Sequence, residues 1–517
     1  MNEQVVTIDG SHLTIEEVAR VARSLATPRL DPDARKRVLD ANETTARLVA
    51  SGVRVYGVNT GVGSLADRDF SPAEGRQFSR NQVLCQAAGV GRAFPTEVVR
   101  AAMLIRANTL AKAHSDVRPE VIELLLSTLD RGVTPSVPSQ GSLGSSGDLA
   151  PLSHVALVIS EGPDGGGRDS GQAFFHDRLM TGAEAMLAAG LTRLVLAPKE
   201  GMALTNGDSF ATALLSLACL DTERLLRIAE VGAAMALEAL AGASGALDER
   251  LHASRPHPGQ MAVARRMRAL IAGSTLVDST GRIQDAYSLR CMPQVVGPAW
   301  DLLVFCREVV SRELNAASDN PLVFEGEVRS GGNFHGEPLG LAADYLKIAL
   351  SEVGAISERR VFRLTAGHTN EGLPPMLVAS AAAAGLMSGM MIVQYTAASL
   401  VHENQALASP DSIFSSPTAG GQEDLNSNAT TACRHLRESL ENLRRILAIE
   451  LITAAQALDL RLRMKPNLHP GQGVAAAHRA IRQRVPFLEA DAPMSESIET
   501  VASLLMDDAL TDTNREL

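Results

Sequence analysis

The stretch "ATTACRHLRESLENLRRILAIELITAAQALDLRLR", residues 429–463, is a long helical pattern that no proline interrupts. Similar long patterns lie at about 210–242, 293–316, 338–364 and 376–407. A globular helix usually has about 11 residues, so these segments are unusually long. They predict a mainly α fold with a central bundle of long, roughly parallel or antiparallel helices.

The segments around this bundle carry signals for short helices and for few strands. Residue pairs that start helices precede three apolar stretches: Thr14 with Glu17, Asp31 with Pro32, and Thr181 with Glu184. Strand patterns are limited to "VRVYGV" near residue 53 and to "PLVFEGEVRSGG", in which Glu325 and Gly326 are expected to turn a hairpin. We expect a loop-rich N-terminal part over residues 1–200 and a helix bundle with a helical tail over residues 201–517, together forming one integrated unit.

The composition is that of an ordinary globular protein, since 45% of the 517 residues are apolar and 21% are charged. With one Trp, four Tyr and twelve Phe, the core must consist mostly of aliphatic side chains, which suits helix packing. The net charge of −11 argues against a nucleic-acid partner. The five cysteines are scattered singly and no secretory signal pattern is present, so we expect reduced thiols and a cytoplasmic location.

One segment, "LPPMLVASAAAAGLMSGMMIVQYTAASLV" at residues 373–401, has no charged residue and is long enough to span a membrane. It is rich in Ala, Gly and Ser, contains Gln394 and Tyr395, and stands alone between polar loops. These features favour a helix that is buried on all sides inside a large helical assembly. We therefore expect no membrane partner.

A glycine-rich stretch, "GSLGSSGDLAPLSH" at residues 141–154, has the strongest chemical signal. A phosphate-binding loop needs Lys-Ser or Lys-Thr after its second glycine, whereas Asp148 follows Gly147. A hydrolase nucleophile elbow needs Gly-x-Ser-x-Gly, and Gly-Ser-Ser-Gly at 144–147 is one residue short. In a third interpretation the backbone itself reacts, because glycine allows two backbone segments to come close.

In that interpretation the amide nitrogen of Gly147 attacks the carbonyl carbon of Ser145 and closes a five-membered ring. Loss of one water from the ring, and of a second from the Ser146 side chain, leaves a methylidene-imidazolone. This product is a strong electrophile that forms without an external cofactor.

Around this stretch the sequence resembles the aromatic amino acid ammonia-lyase and aminomutase family, and within it the histidine ammonia-lyases. Six blocks carry the resemblance, in the family's order: "YGVNTGVGSLAD" (56–67), "GSLGSSGDLAPLSH" (141–154), "KEGMALTNG" (199–207), "QDAYSLRCMPQVVG" (284–297), "SDNPLV" with "SGGNFHGEP" (318–338), and "GQEDLNS" (421–427). The resemblance implies the helical fold of the fumarase and aspartase superfamily and a homotetramer whose subunits share sites. It also implies a small-molecule substrate, an aromatic amino acid, from which ammonia is removed without a metal ion or an external cofactor.

The resemblance gives the reacting groups their roles. The imidazolone from Ser145, Ser146 and Gly147 would bind the amino group of the substrate. Tyr56 would be the base, and it would need help from positive dipoles or hydrogen bonds, because a phenol has an ordinary pKa of about 10. Tyr287 would assist from a second loop.

The resemblance also names residues for the rest of the substrate. Arg290 would hold the substrate carboxylate through a bidentate pair, the geometry that a guanidinium fits best. Asn206 and Gln284 resemble the family's polar groups near the imidazolone and the carboxylate. Phe334 would pack against the substrate ring.

Departures from the family pattern bear on the ring and on the substrate. Ser145 stands where the family usually has alanine, but cyclisation uses only its backbone carbonyl. Cys85 and Gln86 stand where histidine lyases have Ser-His, so an amide replaces an imidazole. Glu423, in "QED", matches the histidine-lyase pattern, and a buried carboxylate can pair with an imidazole N–H but not with a phenyl ring. We therefore expect histidine, or a thiol-bearing or N-methylated derivative of it, as the substrate.

Other functions stay open on the sequence alone. A protein with these motifs could act on tyrosine or phenylalanine, as a lyase or as a 2,3-aminomutase. The Gly-Ser-Ser-Gly also resembles the serine loop of amidase-type hydrolases, although no catalytic lysine is convincingly placed in an early block. A degenerate homologue would not be expected to retain Tyr56, Ser146, Tyr287 and Arg290 together.

Overall fold

The computed structural model describes residues 4–50, 59–61, 68–69, 71–165, 169–324 and 327–506. The chain forms two compact units. The first contains Met1–Ala218, Arg307–Asp344 and Pro410–Arg434. The second contains Cys219–Cys306, Tyr345–Ser409 and His435–Leu517.

The described chain is mainly helical, as the sequence predicts. Its α-helices, in chain order, are α1 (Ile15–Ala22), α2 (Pro32–Ala50), α3 (Pro72–Gln86), α4 (Thr96–Ala111), α5 (Pro119–Asp130), α6 (Leu149–Ile159), α7 (Gly182–Ala188), α8 (Glu200–Thr205), α9 (Ser209–Ala239), α10 (Glu249–Ala253), α11 (Pro258–Leu270), α12 (Tyr287–Arg290), α13 (Met292–Glu313), α14 (Glu337–Thr365), α15 (Met391–Leu407), α16 (Ala429–Met464), α17 (Gln472–Arg482) and α18 (Ser495–Leu504). Four of the long helices predicted from the sequence are therefore present: α9, α13, α14 and α16.

The strands of the described chain are short and belong to the first unit: β1 (Val5–Ile8), β2 (Thr27–Leu30), β3 (Val90–Ala93), β4 (Thr134–Pro135), β5 (Pro138–Gln140), β6 (Ser160–Glu161), β7 (Gln172–Phe175), β8 (Arg178–Thr181), β9 (Leu194–Val195), β10 (Leu322–Phe324) and β11 (Glu327–Arg329). β1 pairs with β2 and β6 with β9 in parallel, whereas β3–β5, β4–β7–β8 and β10–β11 are antiparallel. The β10–β11 pair is the predicted hairpin, and its turn residues lie outside the described ranges. The strand predicted near residue 53 also lies outside them.

The predicted helix starts in the first unit are confirmed. At the start of α1 the Thr14 side chain accepts a hydrogen bond from Glu17 N–H. In turn, the Glu17 carboxylate accepts a hydrogen bond from the Thr14 backbone N–H. The same reciprocal pair, Thr181 with Glu184, begins α7. Such pairs satisfy amide groups that have no partner inside the helix.

Helix α16 provides the core of the second unit. Every residue from Ile446 to Leu458 is buried, so this part of the helix is surrounded by protein on all sides. The buried run includes Glu450, whose carboxylate accepts hydrogen bonds from Arg360 and Ser357. Arg360 and Glu450 both have fully buried side chains, and Arg360 Nη2 lies 2.9 Å from Glu450 Oε2.

The uncharged segment 373–401 differs from its prediction. The helix begins only at Met391, because two prolines at 374–375 and positive φ angles at Gly385 and Gly389 interrupt the earlier part. Within this chain α15 buries one face, whereas Ile392 and Tyr395 are 63% and 64% exposed. The single chain therefore buries only one face of α15, and the expected burial inside a larger assembly stays a prediction. No helix among the described residues is long and apolar enough to cross a membrane.

Replacing Arg360 with leucine should destabilise the protein by about 3–5 kcal/mol, because the buried carboxylate of Glu450 loses its charged partner. Calorimetric unfolding measures the loss. Arg312→Leu is the matched control, since Arg312 and Glu308 form an exposed pair at 3.2 Å. Such a surface pair contributes less than about 1 kcal/mol. Equal losses in the two variants would contradict the role given to Arg360.

Candidate active site

The loop before α6 is held in a conformation that requires glycine. Gly147 has a φ of +72°, and a Cβ on it would lie 2.1 Å from the carbonyl carbon of Gly207. Gly144 has a φ of +67°, and a Cβ there would lie 2.3 Å from Ser427 Oγ. The two glycines therefore let the loop approach two neighbouring segments closely.

Hydrogen bonds attach the same loop to the turn that follows α8. Asp148 N–H donates to Gly207 O over 2.7 Å, and Gly207 N–H donates to Ser146 O over 3.2 Å. Asn206 Nδ2 donates to the same Ser146 oxygen over 3.0 Å. The Ser146 carbonyl thus receives two N–H donors, an arrangement that stabilises negative charge on its oxygen.

Asp148 is fully buried beneath the loop and has four donors. Its Oδ2 accepts from the backbone N–H groups of Phe210 and Ala211, at 2.8 and 3.0 Å, at the start of α9. Its Oδ1 accepts from Ser142 Oγ at 2.9 Å and from Thr430 Oγ1 near the start of α16. Burial raises the pKa of Asp148, while the hydrogen bonds favour its ionised form. Asp148, which rules out a phosphate-binding loop in the sequence, thus links the serine loop to the starts of α9 and α16.

Glu423 contacts both serines of the motif. Ser146 Oγ donates to Glu423 Oε1 over 2.9 Å, and Ser145 Oγ donates to Oε2 over 3.2 Å. Thr418 N–H donates to the backbone carbonyl of Glu423 over 2.7 Å and holds this segment in place. The hydroxyl of Ser145, for which the sequence predicts no role, therefore contacts the carboxylate that was predicted to face the substrate.

A cavity of about 550 Å³ opens beside these residues in the first unit. Ligand cavities of small molecules commonly have volumes of about 300–1,000 Å³, so an amino acid can be accommodated. Six of the predicted site residues line the cavity together: Gln86, Ser145, Ser146, Asn206, Phe334 and Glu423. Gly147 contributes to the site through the backbone of the loop.

Two predicted site residues of the N-terminal part, Cys85 and Tyr56, are not among the described residues that line the cavity. Cys85 is exposed, its Sγ donates to the backbone carbonyl of Gln82 over 3.4 Å, and it does not line the cavity. Tyr56 lies outside the described residues.

Three further predicted residues belong to the second unit and are not among the residues that line the cavity. Gln284 is exposed, and the Tyr287 side chain is 70% exposed. The guanidinium of Arg290 lies 4.6 Å from the centre of the Tyr287 ring, and its Nε donates to Asp285 O over 3.0 Å. These residues form a local cluster on and next to α12.

Several cavity residues were missed by the sequence reasoning. Gln82, Met202 and Asn320 line the cavity without having been singled out. Helical spacing could have identified Gln82, because it lies four residues before Gln86 on α3 and therefore on the same face.

The described residues that line the cavity include two carboxylates, Glu423 and Asp424, but no lysine or arginine. His335 is also present, with its Nε2 at 3.3 Å from the backbone carbonyl of Leu425. In the part of the chain that the structure describes, no three His, Cys, Asp or Glu side chains are grouped so that they could hold a metal ion. Among the described residues the cavity wall thus carries two carboxylates and no lysine or arginine to pair with a substrate carboxylate.

Comparisons with known proteins identify the family of the chain. The family model for aromatic amino acid lyases matches residues 13–483. A histidine ammonia-lyase from Anaeromyxobacter sp. (strain K) is 47% identical over 509 residues, which cover 97% of this chain and 98% of that protein. The solved structure of a tyrosine aminomutase from Streptomyces globisporus has a TM-score of 0.91 and 36% identity, with 98% of each chain covered. That of a histidine ammonia-lyase from Trypanosoma cruzi has a TM-score of 0.90 and 34% identity, covering 99% of this chain and 95% of the other. The chain belongs to the aromatic amino acid lyase family.

Proposed function

We propose that this protein is an ammonia-lyase that acts on L-histidine. The observation that carries the proposal is the position of Glu423, whose carboxylate faces the cavity and is hydrogen-bonded to both serines of the loop. A carboxylate there can accept a further hydrogen bond from an imidazole N–H, whereas a phenyl ring has no N–H to donate and would bury the charge against an apolar surface. The curated relative with 47% identity, a histidine ammonia-lyase, supports the same substrate.

The loop residues fit a methylidene-imidazolone built from Ser145, Ser146 and Gly147. The left-handed conformation of Gly147, and its close approach to Gly207, are what a backbone folded back on itself requires. When present, the imidazolone supplies an electrophilic carbon for the amino group of the substrate. Asn206 Nδ2 and Gly207 N–H, which donate to Ser146 O, would stabilise negative charge that develops on this oxygen.

The other residues of the cavity orient the substrate. Phe334 lines the wall and would pack against the imidazole ring. Glu423 would accept the ring N–H, which fixes the rotation of the ring and thereby the direction of the Cα–Cβ bond. Positioning of this kind lowers the activation free energy, because the entropy cost of orienting the reacting groups has already been met on binding.

The substrate carboxylate and the base require residues from elsewhere. Because the described lining includes no lysine or arginine, we infer that Arg290 of a neighbouring subunit holds the carboxylate, with Gln284 and Tyr287 beside it. Three large apolar side chains are exposed in the single chain: Tyr287 (70%), Ile283 (100%) and Tyr395 (64%). Their exposure supports the proposal that these surfaces pack against other copies of the chain. We propose a homotetramer with shared sites, in which Tyr56 is the base that removes the β-proton.

A substrate panel tests the activity. The protein should form a product with the ultraviolet absorbance of urocanate from L-histidine. Glu423→Gln should lower kcat/KM for histidine by about ten- to a hundredfold, because a hydrogen bond to a charged acceptor is lost. Asp424→Asn removes the neighbouring exposed carboxylate and should have a smaller effect. Turnover of tyrosine or phenylalanine without turnover of histidine, or formation of a β-amino acid, would contradict the proposal.

Intact-protein mass tests the imidazolone separately from the activity. The unchanged chain should be lighter than its sequence by two water molecules. Ser146→Ala should not show this loss, because it lacks the hydroxyl that leaves as the second water, and its activity should be lost. Ser145→Ala is the matched control and should keep the loss of two waters, since only its backbone carbonyl enters the ring. An unmodified mass in the active protein would refute the imidazolone.

Complementation tests the shared site. Arg290→Ala and Ser146→Ala should each lower kcat/KM by about a hundredfold or more. Tetramers that contain both variants should regain activity, because some sites combine an intact loop with an intact Arg290. A mixture of Arg290→Ala with Tyr287→Phe is the control, since both changes lie on α12 and no site receives an intact copy of this helix. Full activity of an isolated monomer would contradict the arrangement.

A further inference from the structure

Gln82 is a buried amide without a hydrogen-bond partner. It lies on α3, is 4% exposed, and lines the cavity next to the serine loop. Neither its Nε2 nor its Oε1 has a hydrogen-bond partner among the described residues. Buried polar groups are nearly always hydrogen-bonded, because an amide that leaves water without a new partner is destabilising. Gln82 therefore has hydrogen-bonding capacity at the cavity wall that the described residues leave unused.

The second amide on this face of the helix has a polar neighbour. Gln86 lies one helical turn further along α3, and its Oε1 lies 3.3 Å from Ser153 Oγ. Gln82 has no such contact among the described residues, so none of them fixes the orientation of its amide. The two glutamines nevertheless share one face of the helix and line the same cavity.

We propose that Gln82 is a specificity-determining residue that binds the side-chain ring of the substrate. This inference rests on the proposed function. A neutral imidazole has one N–H donor and one unprotonated nitrogen that accepts. Glu423 accepts from the N–H, and Gln82 Nε2 donates to the other nitrogen. The substrate side chain is therefore a ring with hydrogen-bonding atoms on two edges, as in histidine.

The same contact selects against phenylalanine. A phenyl ring has no atom that accepts a conventional hydrogen bond from the amide, so both polar atoms of Gln82 would stay buried and without partners. A site built around such groups discriminates strongly against a ligand that cannot pair with them. Gln82 thus supplies the ring contact that the usual Ser-His pair would supply, at a position one turn earlier on the helix.

A methionine in place of Gln82 tests the proposal, because its side chain has a similar size and no amide. We expect Gln82→Met to raise KM for histidine about tenfold or more while kcat changes by less than about threefold. The preference for histidine over phenylalanine should fall. The melting temperature without substrate should rise, since a buried amide without partners is removed. A residue with a merely structural hydrogen bond would instead lower the melting temperature.

Gln77→Met is the matched control, since Gln77 is exposed on the same helix and bonds Asn81 over 2.8 Å. It should leave KM and the ratio of histidine to phenylalanine turnover unchanged. An unchanged KM in Gln82→Met, or a lower melting temperature, would overturn the role of Gln82 alone. If the unchanged protein loses two waters but does not turn over histidine, the proposed function fails and this inference fails with it.

Discussion

The buried carboxylate of Asp148 connects the segments on which the cavity depends. Its four donors come from the serine loop, from the first turn of α9 and from the first turn of α16, which are far apart in the sequence. A buried carboxyl group away from water must find its hydrogen-bond partners in the protein, so the three segments pack in the arrangement that supplies them. The geometry of the loop is therefore fixed by one side chain that never reaches the cavity.

A second set of buried polar contacts surrounds the turn on which Asn206 lies. Lys199 and Asp319 form an ion pair at 2.8 Å, and both side chains are completely buried. The buried guanidinium of Arg106 donates to the backbone carbonyl of Asn206. Burial lowers the pKa of Arg106, whereas the neighbouring carboxylates of Asp319, Asp208 and Asp148 favour its charged form. Because these contacts are made inside the protein, the donors to Ser146 O are held in place before any substrate arrives.

Much of the fold and the loop could be predicted from the sequence, because helix lengths and the Gly-Ser-Ser-Gly pattern depend on neighbouring residues. The uncharged segment 373–401 shows the limit: its lack of charge indicated a buried helix, but Gly385 and Gly389 have positive φ angles before α15 begins, and one face of α15 is exposed in the single chain. The contact of Ser145 with Glu423 joins positions 278 residues apart, which no local pattern reveals. Gln82 was missed because a buried amide becomes informative only when its lack of partners is visible. The roles of all the predicted site residues stay predictions, including those of Tyr56, Gln284, Tyr287 and Arg290, which do not line the cavity of the described chain.

The hydroxyl of Ser145 affects which hydrogen bonds Glu423 keeps when the proposed ring forms. The proposed ring formation would consume the Ser146 hydroxyl, so a chain with alanine at position 145 would then leave Glu423 without a serine donor. In this protein Ser145 Oγ, at 3.2 Å from Glu423 Oε2, would remain. One carboxylate oxygen then stays engaged and the other is available to a ligand. A residue that would enter the proposed ring only through its backbone would thus keep its side-chain hydrogen bond to the carboxylate both before and after cyclisation.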